Sequence, residues 1–364
     1  MDQVFAAYDL RQGAKNNSCP FFEDAAKRAF HQAWFEHCPD DVYISILTLD
    51  DRPVASFFGV VIGQTLANAI VSYEPDVSMH SASKLHIYLL AEELAAKGFD
   101  AIDLTPGGDP WKQRFAAENE EVLEFVYWSD RSALKRLERH EAILGLAKKM
   151  AAAVGMTPTK VRALSSSMGK ISPKAIGTRL KQLLWMRTES RIYRLRTDQM
   201  LSRDGANDAR VNSAGDLVNF KPDSVEETRQ QFLSSAFDCL TNGHSVYTVR
   251  DGDRLTHSGW VARNQRSSFL ADVDHDYEYP TPGAVLFDFL THPRSPDRAH
   301  FEKTVLQMLS DLKSLAEPPE WVYIAASADD LPSLNVIEKC GFHYHESDVK
   351  RTRFSRTSWD TRPL

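Results

Sequence analysis

Ionisable side chains at the end of one apolar segment are the first candidates for chemistry in this sequence. Asp288 interrupts the apolar run Ala284–Leu290, and His292 follows just after that run. The ordinary pKa of histidine lies near neutrality and burial raises the pKa of a carboxyl, so either residue could act as a general base. Two structural interpretations stay open: Asp288 could point outward on the alternating strand face, and His292 could be a loop histidine bonded to backbone.

Basic residues and a predicted helix start follow this strand and indicate an anion site. The loop His292–Arg298 contains Arg294 and Arg298, and apolar residues then recur at steps of three and four from Phe301 to Leu315. That spacing predicts an amphipathic helix. Because the unpaired N–H groups and the dipole of a helix N-terminus favour anions, the turn is a candidate phosphate site. Exposed loop arginines without a ligand are the alternative.

A second set of candidates lies in the first half of the sequence. Ser83 and Lys84 precede a predicted helix, a position that suits either a cofactor phosphate or plain helix capping. The Gly/Pro loop Thr105–Lys112 follows a predicted strand, and ligands of α/β sheets bind at such strand ends. Its Asp109 could be catalytic or could be a turn aspartate beside a solvated lysine. The substrate-binding candidates are Asp103, which could also be a residue at the core edge, Trp111 and Lys112.

Two runs of predicted elements with one shared order must position these candidates. Each half has the order helix, hairpin strands, loop, helix and strand, which predicts two structural repeats. Hairpins imply antiparallel pairs and strand–helix–strand units imply parallel neighbours, so each sheet should be mixed. In the first half the predicted elements are a helix from Phe22 to Trp34, strands at Tyr43–Leu49, Val54–Ile62, Leu66–Tyr73 and Asp100–Leu104, and a helix from Leu85 to Gly98.

The second half repeats this order. An irregular acidic stretch is expected before the apolar strand that carries Asp288, and Asp330 can cap a last helix that Gly341 ends. The fold class is therefore α/β (α+β), with two mixed β-sheets flanked by helices. The predicted elements are a helix from Phe232 to Leu240, strands at Ser245–Arg250, Leu255–Arg263, Ala284–Leu290 and Trp321–Ala326, and the helix from Phe301 to Leu315.

A basic segment joins the two halves, so three parts are expected: residues 1–128, a connector over 129–210, and residues 211–364. A solvated helical connector is one interpretation, and contact with a phosphate-rich partner is the other. No aromatic residues interleave the basic ones to support base stacking. The helix-prone stretches of the connector run from Ala133 to Ala153 and from Ile176 to Leu195.

Composition narrows the class of protein. The chain has 364 residues, of which 43% are hydrophobic and 26% charged, and this suits two globular domains with real cores. A net charge of −7 argues against general nucleic-acid binding, and no apolar run reaches the length of a membrane span. The N-terminal residues lack the features of a secretion signal, so a cytoplasmic location is expected. Buried reduced thiols, rather than disulfides or a metal site, are predicted for Cys19, Cys38, Cys239 and Cys340.

Two motifs in the second half resemble those of the GNAT N-acyltransferase superfamily. The superfamily's phosphate loop, Arg/Gln-x-x-Gly-x-Gly/Ala, is similar to Arg294-x-x-Asp297-x-Ala299 here, where an aspartate replaces a glycine. Its later signature, Asn-x-x-Ser/Ala-x-x-x-Tyr-x-Lys-x-Gly-Phe, is similar to Asp330–Phe342, where Ile337 replaces the tyrosine. The resemblance implies that this half binds acyl-CoA, with contacts from Leu290, Thr291, Arg294, Asp297, Arg298, Ala299, His300, Asp330 and Ser333.

The first half resembles a different group, the CelD/BioF2-like acetyltransferases associated with cellulose and exopolysaccharide synthesis. These are GNAT relatives of the Fem-type aminoacyltransferases. The resemblance implies a GNAT-like domain here too, and an acceptor that is a sugar or a cell-envelope precursor. The similar features are Ser72-Tyr73-Glu74-Pro75, a helix that ends in Lys97-Gly98, Asp100-x-x-Asp103-Leu104, and the loop Gly107–Lys112.

Together the resemblances imply tandem GNAT-like acyl-CoA N-acyltransferase folds. The expected activity moves an acyl group from acetyl-CoA or another acyl-CoA to an amine or hydroxyl, without a metal. In the superfamily a tyrosine often protonates the leaving thiolate, so Ile337 favours a first alternative, a non-catalytic acyl-CoA-binding protein. The second alternative is a Fem-like transferase that uses aminoacyl-tRNA and meets it with the basic connector.

Overall fold

The computed structural model describes residues 1–107, 110–123, 125, 135, 139, 185–200, 209–222, 227–292, 299–353 and 356–363. The chain divides into two compact units, one of Met1–Gly107, Thr188–Lys350 and Trp359–Leu364, the other of Gly108–Arg187 and Arg351–Ser358. Nearly all of the described residues belong to the first unit, which holds most of two β-sheets. No helix in the described ranges combines the length and hydropathy needed to cross a bilayer.

The first sheet is an antiparallel meander to which one strand is added in parallel. Its elements are helices α1 (Asp2–Asn16), α2 (Pro20–Glu23) and α3 (Ala25–His37), strands β1 (Val42–Leu49), β2 (Arg52–Ile62) and β3 (Thr65–Tyr73), a 3₁₀ turn (Pro75–His80), helix α4 (Ala82–Ala96) and strand β4 (Ala101–Asp103). The strand order is β1-β2-β3-β4. The tight hairpin turns need left-handed residues, and Asp51 and Gly63 supply φ values of 65° and 62°.

The second sheet is larger and repeats the same core arrangement. Its elements are strands β5 (Trp185–Arg196) and β6 (Arg210–Val211), helices α5 (Ala214–Val218) and α6 (Arg229–Thr241), strands β7 (Ser245–Asp251), β8 (Arg254–Leu270) and β9 (His275–Thr291), helix α7 (His300–Lys313), strand β10 (Trp321–Ser327), helix α8 (Leu331–Lys339), and strands β11 (His343–Arg353) and β12 (Arg356–Pro363). The strand order is β12-β11-β5-β10-β9-β8-β7-β6. Strands β7, β8 and β9 form the antiparallel meander, and β10 is parallel to β9.

The prediction of a helix over Ile176–Leu195 is wrong where the structure describes it, because Trp185–Arg196 is strand β5. This strand lies between β10 and β11 and pairs antiparallel with β10. Ile192 and Tyr193 are both buried, one on each face of the sheet. Burial on both faces of a sheet favours β-branched and aromatic side chains. The free energy gained from this burial outweighs the helix preference of the neighbouring residues.

The prediction of an irregular acidic stretch before the central strand is also wrong. Strands β8 and β9 continue as a long hairpin that turns between Leu270 and His275. Tyr277 and Tyr279 of this extension are buried, and the ring centre of Tyr279 lies 4.3 Å from that of Tyr323 of β10, with the two rings tilted by 32°. Aromatic packing onto the sheet therefore orders a segment whose charges had suggested a loop.

Helix α1 contributes to the hydrophobic cores of both sheets. Its Val4 and Phe5 pack with Phe58 of the first sheet. Its Leu10 belongs to the cluster formed by α5, α6 and Trp260 of the second sheet. The sequence had given the N-terminal residues no role, and the structure shows that they are a shared packing element.

Helix α4 begins and ends close to its predicted bounds, but its apolar residues are divided between two faces. Leu85, Tyr88 and Leu89 are exposed. The sheet is covered instead by a face that includes the buried His86 and Leu90. Two thiols also differ from expectation, since Cys38 at the end of α3 is exposed and Cys239 is only half-buried.

The predicted fold class is confirmed. Each half builds a mixed β-sheet flanked by helices, and helices α4 and α7 each follow a central strand and lead into a parallel one. The three predicted domain boundaries are not tested by this arrangement and stay predictions.

Candidate active site

In each sheet, a central strand and the strand that follows the next helix form a parallel pair that separates after a short common register. In the second sheet Ala284–Leu286 of β9 pairs with Val322–Ile324 of β10. Beyond that register the strands continue as Phe287–Thr291 and Ala325–Ser327. We call the gap between these two segments the second-sheet cleft. The cleft-facing backbone groups of its β9 wall lie outside any ladder with β10, so an extended ligand can pair with them.

The β10 wall of this cleft is held from behind by strand β5. Ala325, Ala326 and Ser327 pair with Ile192, Arg191 and Ser190. A strand supported on its far side keeps its position when its near side has no partner. The two walls of the second-sheet cleft are therefore both parts of the continuous sheet.

A β-bulge in the β9 wall carries Asp288. The register against β8 shifts so that Asp288 and Phe289 both oppose Gly259. Asp288 has a φ of 48°, in the left-handed region. A Cβ at Gly259 would lie 2.5 Å from the ring of Phe289, so the bulge requires glycine at this position. The bulge turns Asp288 out of the simple alternation that the sequence had indicated.

The environment of Asp288 raises the pKa of its carboxyl. Its side chain reaches solvent, yet desolvation by the surrounding protein raises the pKa of the carboxyl. The pKa of Glu227, just before α6, is raised by burial and then by the charge of Asp288. Burial, and then the same charge, raises the pKa of the Cys239 thiol to about 11. Asp288 is therefore a better proton acceptor than an ordinary surface aspartate.

Helix α7 begins at His300, after strand β9 has ended at Thr291. Its N-cap is Ala299, which has no side-chain oxygen to accept a hydrogen bond from the first helix amides. Of the other predicted cofactor contacts, Leu290 is half-buried, Thr291 is exposed and His300 starts the helix. The predicted phosphate-loop residues Arg294, Asp297 and Arg298 lie outside the described residues.

Two buried histidines flank the end of β9. Arg254 Nη1 lies 3.0 Å from His292 Nε2, and a guanidinium can only donate in such a contact. His257 of β8 is fully buried, and its Nδ1 lies 2.9 Å from Thr291 Oγ1. Burial, helped by the nearby His300, lowers the pKa of His257 to about 4. His257 therefore holds Thr291 as a neutral imidazole.

The later motif forms a helix cap and part of the core. Asp330 accepts hydrogen bonds from the backbone N–H of Ser333 at 3.2 Å and from its hydroxyl at 2.6 Å. These two predicted cofactor contacts therefore bond to each other at the start of α8. Ile337, which occupies the position of the superfamily's tyrosine, is 1% exposed and packs in the core of the second sheet. The Tyr344 hydroxyl lies 2.9 Å from Ser347 Oγ.

The first sheet contains a similar opening. Thr65–Ala67 of β3 pairs with Ala101–Asp103 of β4, and β3 then runs on as Asn68–Tyr73. The register of β3 against β2 shifts beside Gly59, which marks a bulge in β3 as well. We call the opening along Asn68–Tyr73 the first-sheet cleft. Its β4 wall is only three residues long and forms the edge of the sheet.

The predicted residues of the first half are dispersed. Ser83 and Lys84 lie in the first turn of α4, whose N-cap Ser81 makes no side-chain cap. Asp103 accepts from the Thr105 backbone N–H at 2.7 Å, as a turn aspartate does. Asp109 lies outside the described residues. In the second unit, Lys112 Nζ lies 5.9 Å from the centre of the Trp111 ring, and a short 3₁₀ turn follows.

Sequence reasoning missed two groups of polar residues. His257 lies in a predicted strand and shows no local signal, because its burial depends on α7. Glu74 was assigned to a loop and does lie just after β3, but its burial, which raises its pKa to about 7, was not foreseen. A carboxylate two residues after Ser72 on an alternating strand was the available signal.

Comparison with known proteins supports one domain assignment. The Acetyltransferase (GNAT) domain family matches residues 1–113. The match confirms the predicted GNAT resemblance and, at the level of this domain's family, the expectation of an acyl-CoA-dependent acyltransferase. The finer likeness to CelD/BioF2-like enzymes is not tested by it. A search of curated proteins found no matching relative.

Solved structures show low-level likenesses. An acetyltransferase of the GNAT family from Colwellia psychrerythraea is 11% identical with a TM-score of 0.33, over 46% of this chain and 56% of that one. The chain thus spans about half the length of that protein. A tandem GNAT protein from the clavulanic acid biosynthesis pathway is 12% identical with a TM-score of 0.29, over 98% and 94%. With such low scores these likenesses add nothing to the assignment, which rests on residues 1–113 and on the sheet topology.

Proposed function

We propose that the chain transfers an acyl group from acetyl-CoA or another acyl-CoA to an amine or hydroxyl, and that the second-sheet cleft is its acyl-CoA site. The observation that carries this proposal is the separation of β9 from β10 beyond Leu286 and Ile324, with β10 held by β5. The pantetheine arm of coenzyme A contains two amides. An extended arm with amides can pair with a free strand edge as an added strand would.

The start of α7 suits the phosphate end of the same ligand. Helix α7 starts at His300, directly after the segment that carries Arg294 and Arg298, and the dipole of a helix N-terminus attracts phosphate. Arg294 and Arg298, in the preceding loop, are the proposed phosphate partners. The resemblance of this loop to the GNAT phosphate loop supports the same assignment.

Asp288 is the proposed general base. When the acceptor nitrogen or oxygen attacks the thioester carbonyl, its proton must leave as the carbon–sulfur bond breaks. Asp288 lies on the β9 wall and has a raised pKa, which suits it to take that proton. His292 is less suited, since its Nε2 already accepts a hydrogen bond from Arg254. The proposed acceptor is a sugar or cell-envelope precursor, as the first-half resemblance implies.

Hydrogen–deuterium exchange with coenzyme A tests the location of the site. We expect slower exchange at the amides of Phe287–Thr291 and in the first turn of α7, because bound pantetheine and phosphate would occupy them. The segment Asn68–Tyr73 of the first sheet is the internal control and should not change. Protection confined to Asn68–Tyr73 and α4 would move the acyl-CoA site to the first-sheet cleft.

Thioester cleavage with a panel of acyl-CoAs and acceptors tests the chemistry. Replacing a general base typically lowers turnover by about 10²–10⁴-fold, so Asp288→Asn should lose activity on that scale while coenzyme A binding stays unchanged. Asp253→Asn, at an exposed aspartate paired with Lys221, is the matched control. Equal activity of the two variants would exclude Asp288 as the base.

One observation favours a second candidate function. Ile337 supplies an apolar core side chain where the resemblance places a proton-donating tyrosine. A chain that binds coenzyme A in the second-sheet cleft without cleaving any thioester would be a binding protein. Thioester cleavage by the unaltered chain removes this candidate.

A further inference from the structure

A cavity on the α1 face of the first sheet plays no part in the acyl transfer proposed above. It is a half-open cavity of about 50 Å³, enough for one or two small polar groups. Side chains such as Val4, Ala7, Ile46 and Pro53 form apolar walls around it, and Gln3, Ser56, Ser72 and Glu74 supply its polar side chains.

The polar groups converge because of strand alternation. Ser72 lies in β3, and Glu74 directly follows the last residue of that strand, where its backbone N–H still pairs with Val54. The alternation therefore continues, and both side chains line the cavity. Ser56 is the cross-strand partner of Ser72, and their buried hydroxyl oxygens are 2.5 Å apart. One hydroxyl donates to the other, which leaves lone pairs on both oxygens that can accept from a third group.

The charges that act on the Glu74 carboxylate are those of Asp76 and Arg52. Arg52 is close enough to affect it, but Arg52 Nη2 lies 2.7 Å from both carboxylate oxygens of Asp76. Arg11 of α1 lies over the ring of Tyr73, at 5.7 Å. Gln3, Val4 and Ala7 of α1 line the cavity and carry no titratable group. Met1 also lines it, and its α-amino group is not among the charges that shift the pKa of Glu74. A desolvated carboxylate without a counter-charge is costly unless a ligand supplies one.

We propose that this cavity binds the ammonium end of a small primary amine, with Glu74 as counter-ion and Ser56 and Ser72 as hydrogen-bond acceptors. Three N–H donors on one ammonium match one carboxylate and two hydroxyl oxygens. The apolar walls suit a short alkyl chain behind the nitrogen. A metal ion fits less well, since no group of three ligating side chains occurs in the described part of the chain.

Binding should depend on pH through Glu74. Burial, and then the charge of Asp76, raise its pKa to about 7, while Arg52 opposes the shift. The ionised fraction of such a carboxyl rises about tenfold between pH 6 and pH 8. The amine itself stays protonated throughout this range, so its affinity should rise by about the same factor.

The test is a titration of the full-length chain with n-butylamine, followed by ligand-observed NMR at pH 6 and pH 8, with 1-butanol as the neutral analogue. We expect n-butylamine to bind at pH 8, about tenfold more weakly at pH 6, and 1-butanol to bind at neither pH. Equal binding of 1-butanol, or no binding of the amine at millimolar concentration, would overturn the proposal.

Two variants and a control test whether the amine binds at Glu74. Glu74→Gln should abolish the pH dependence and weaken amine binding at least about tenfold, since it keeps the shape and removes the charge. Asp76→Asn should weaken binding several-fold, because it releases Arg52 to pair with Glu74. Glu93→Gln removes an exposed carboxylate on α4 and should leave binding unchanged. Unaltered binding in Glu74→Gln would contradict the assignment. The proposal does not rest on the acyl-CoA site, so it survives or fails independently of the exchange experiment above.

Discussion

The two sheets repeat one arrangement but differ in how they support it. Each has an antiparallel meander, a bulge beside a glycine, a helix, and a parallel strand with a short common register. In the second sheet the parallel strand β10 is backed by β5, β11 and β12, whereas β4 is a short edge strand. The repeated arrangement opens a cleft in both halves. Only in the second half do added strands support the cleft wall formed by the parallel strand.

The origin of the supporting strand is the main lesson of this comparison. Strand β5 precedes every other strand of the second sheet in sequence, yet it lies in the middle of that sheet. The segment between the halves thus contributes a buried structural strand where a solvated connector was expected. Two halves with the same predicted order of elements can therefore differ in how well their parallel strand is supported, because one additional strand is inserted into only one of the two sheets.

The largest loss of stability is expected when strand β5 is disrupted. Ile192 is 0% exposed in this strand, so Ile192→Asp should destabilise the second sheet by about 3–5 kcal/mol through an uncompensated buried charge. Urea unfolding followed by circular dichroism measures the loss. Ile62→Asp, at a position 63% exposed in the first sheet, is the control and should change stability little. Equal effects of the two substitutions would mean that β5 does not support the sheet.

The buried His257 of the second sheet should make the stability of the protein depend on pH. Its folded-state pKa of about 4 lies below the ordinary 6.5, so the unfolded chain takes up the proton first as the pH falls. Stability is then fully present above pH 6.5 and is lost as the pH falls toward 4, by up to about 3 kcal/mol. We expect His257→Gln to flatten this slope in unfolding curves measured from pH 7 to pH 4. His37→Gln, at the exposed end of α3, should retain it.

Substitution of Gly283 tests the paired register of β9 and β10, and its expected effect is the smallest of the three. A Cβ at this position would lie 2.5 Å from the backbone oxygen of Trp321, at the start of the β9–β10 pair. Gly283→Ala should therefore push β10 away and cost about 1–3 kcal/mol. Gly215→Ala in α5 meets nothing closer than Ala6 Cβ at 3.7 Å, and should be neutral or stabilise by up to about 1 kcal/mol. Thermal unfolding of the two variants provides the measurement, and similar melting temperatures would refute the close contact.

The order of helices and strands could be predicted because it depends on local patterns. The steps of three and four from Phe301 to Leu315 correspond to helix α7, and the cap at Asp330 is present as expected. The apolar runs of both halves are strands, and both helices that follow a central strand lead into a parallel one. Side-chain periodicity and capping are properties of neighbouring residues, so the sequence alone determines them, and with them the fold class.

The site could be predicted only in part. The sequence pointed to the end of β9 and to Asp288, but the bulge that presents Asp288 depends on register against Gly259 of another strand. The capping pair Asp330 and Ser333 was identified as a cofactor contact, whereas its members bond to each other in the structure. Local motifs thus identified the region, and cross-strand geometry assigned the contacts within it.

Tertiary structure alone decided the features that depend on distant residues. Helix propensity suggested a helix where β5 forms, because the reward for a strand there comes from burial between β10 and β11. The burial of His257 requires α7, and the cavity at Glu74 requires α1 to cover β2 and β3. Such contacts join residues that are far apart in the chain. They therefore produce no periodic pattern in the sequence around either partner. The sequence by itself therefore determined which elements exist and in what order, while packing between them decided which strand completes each sheet and which polar groups are buried.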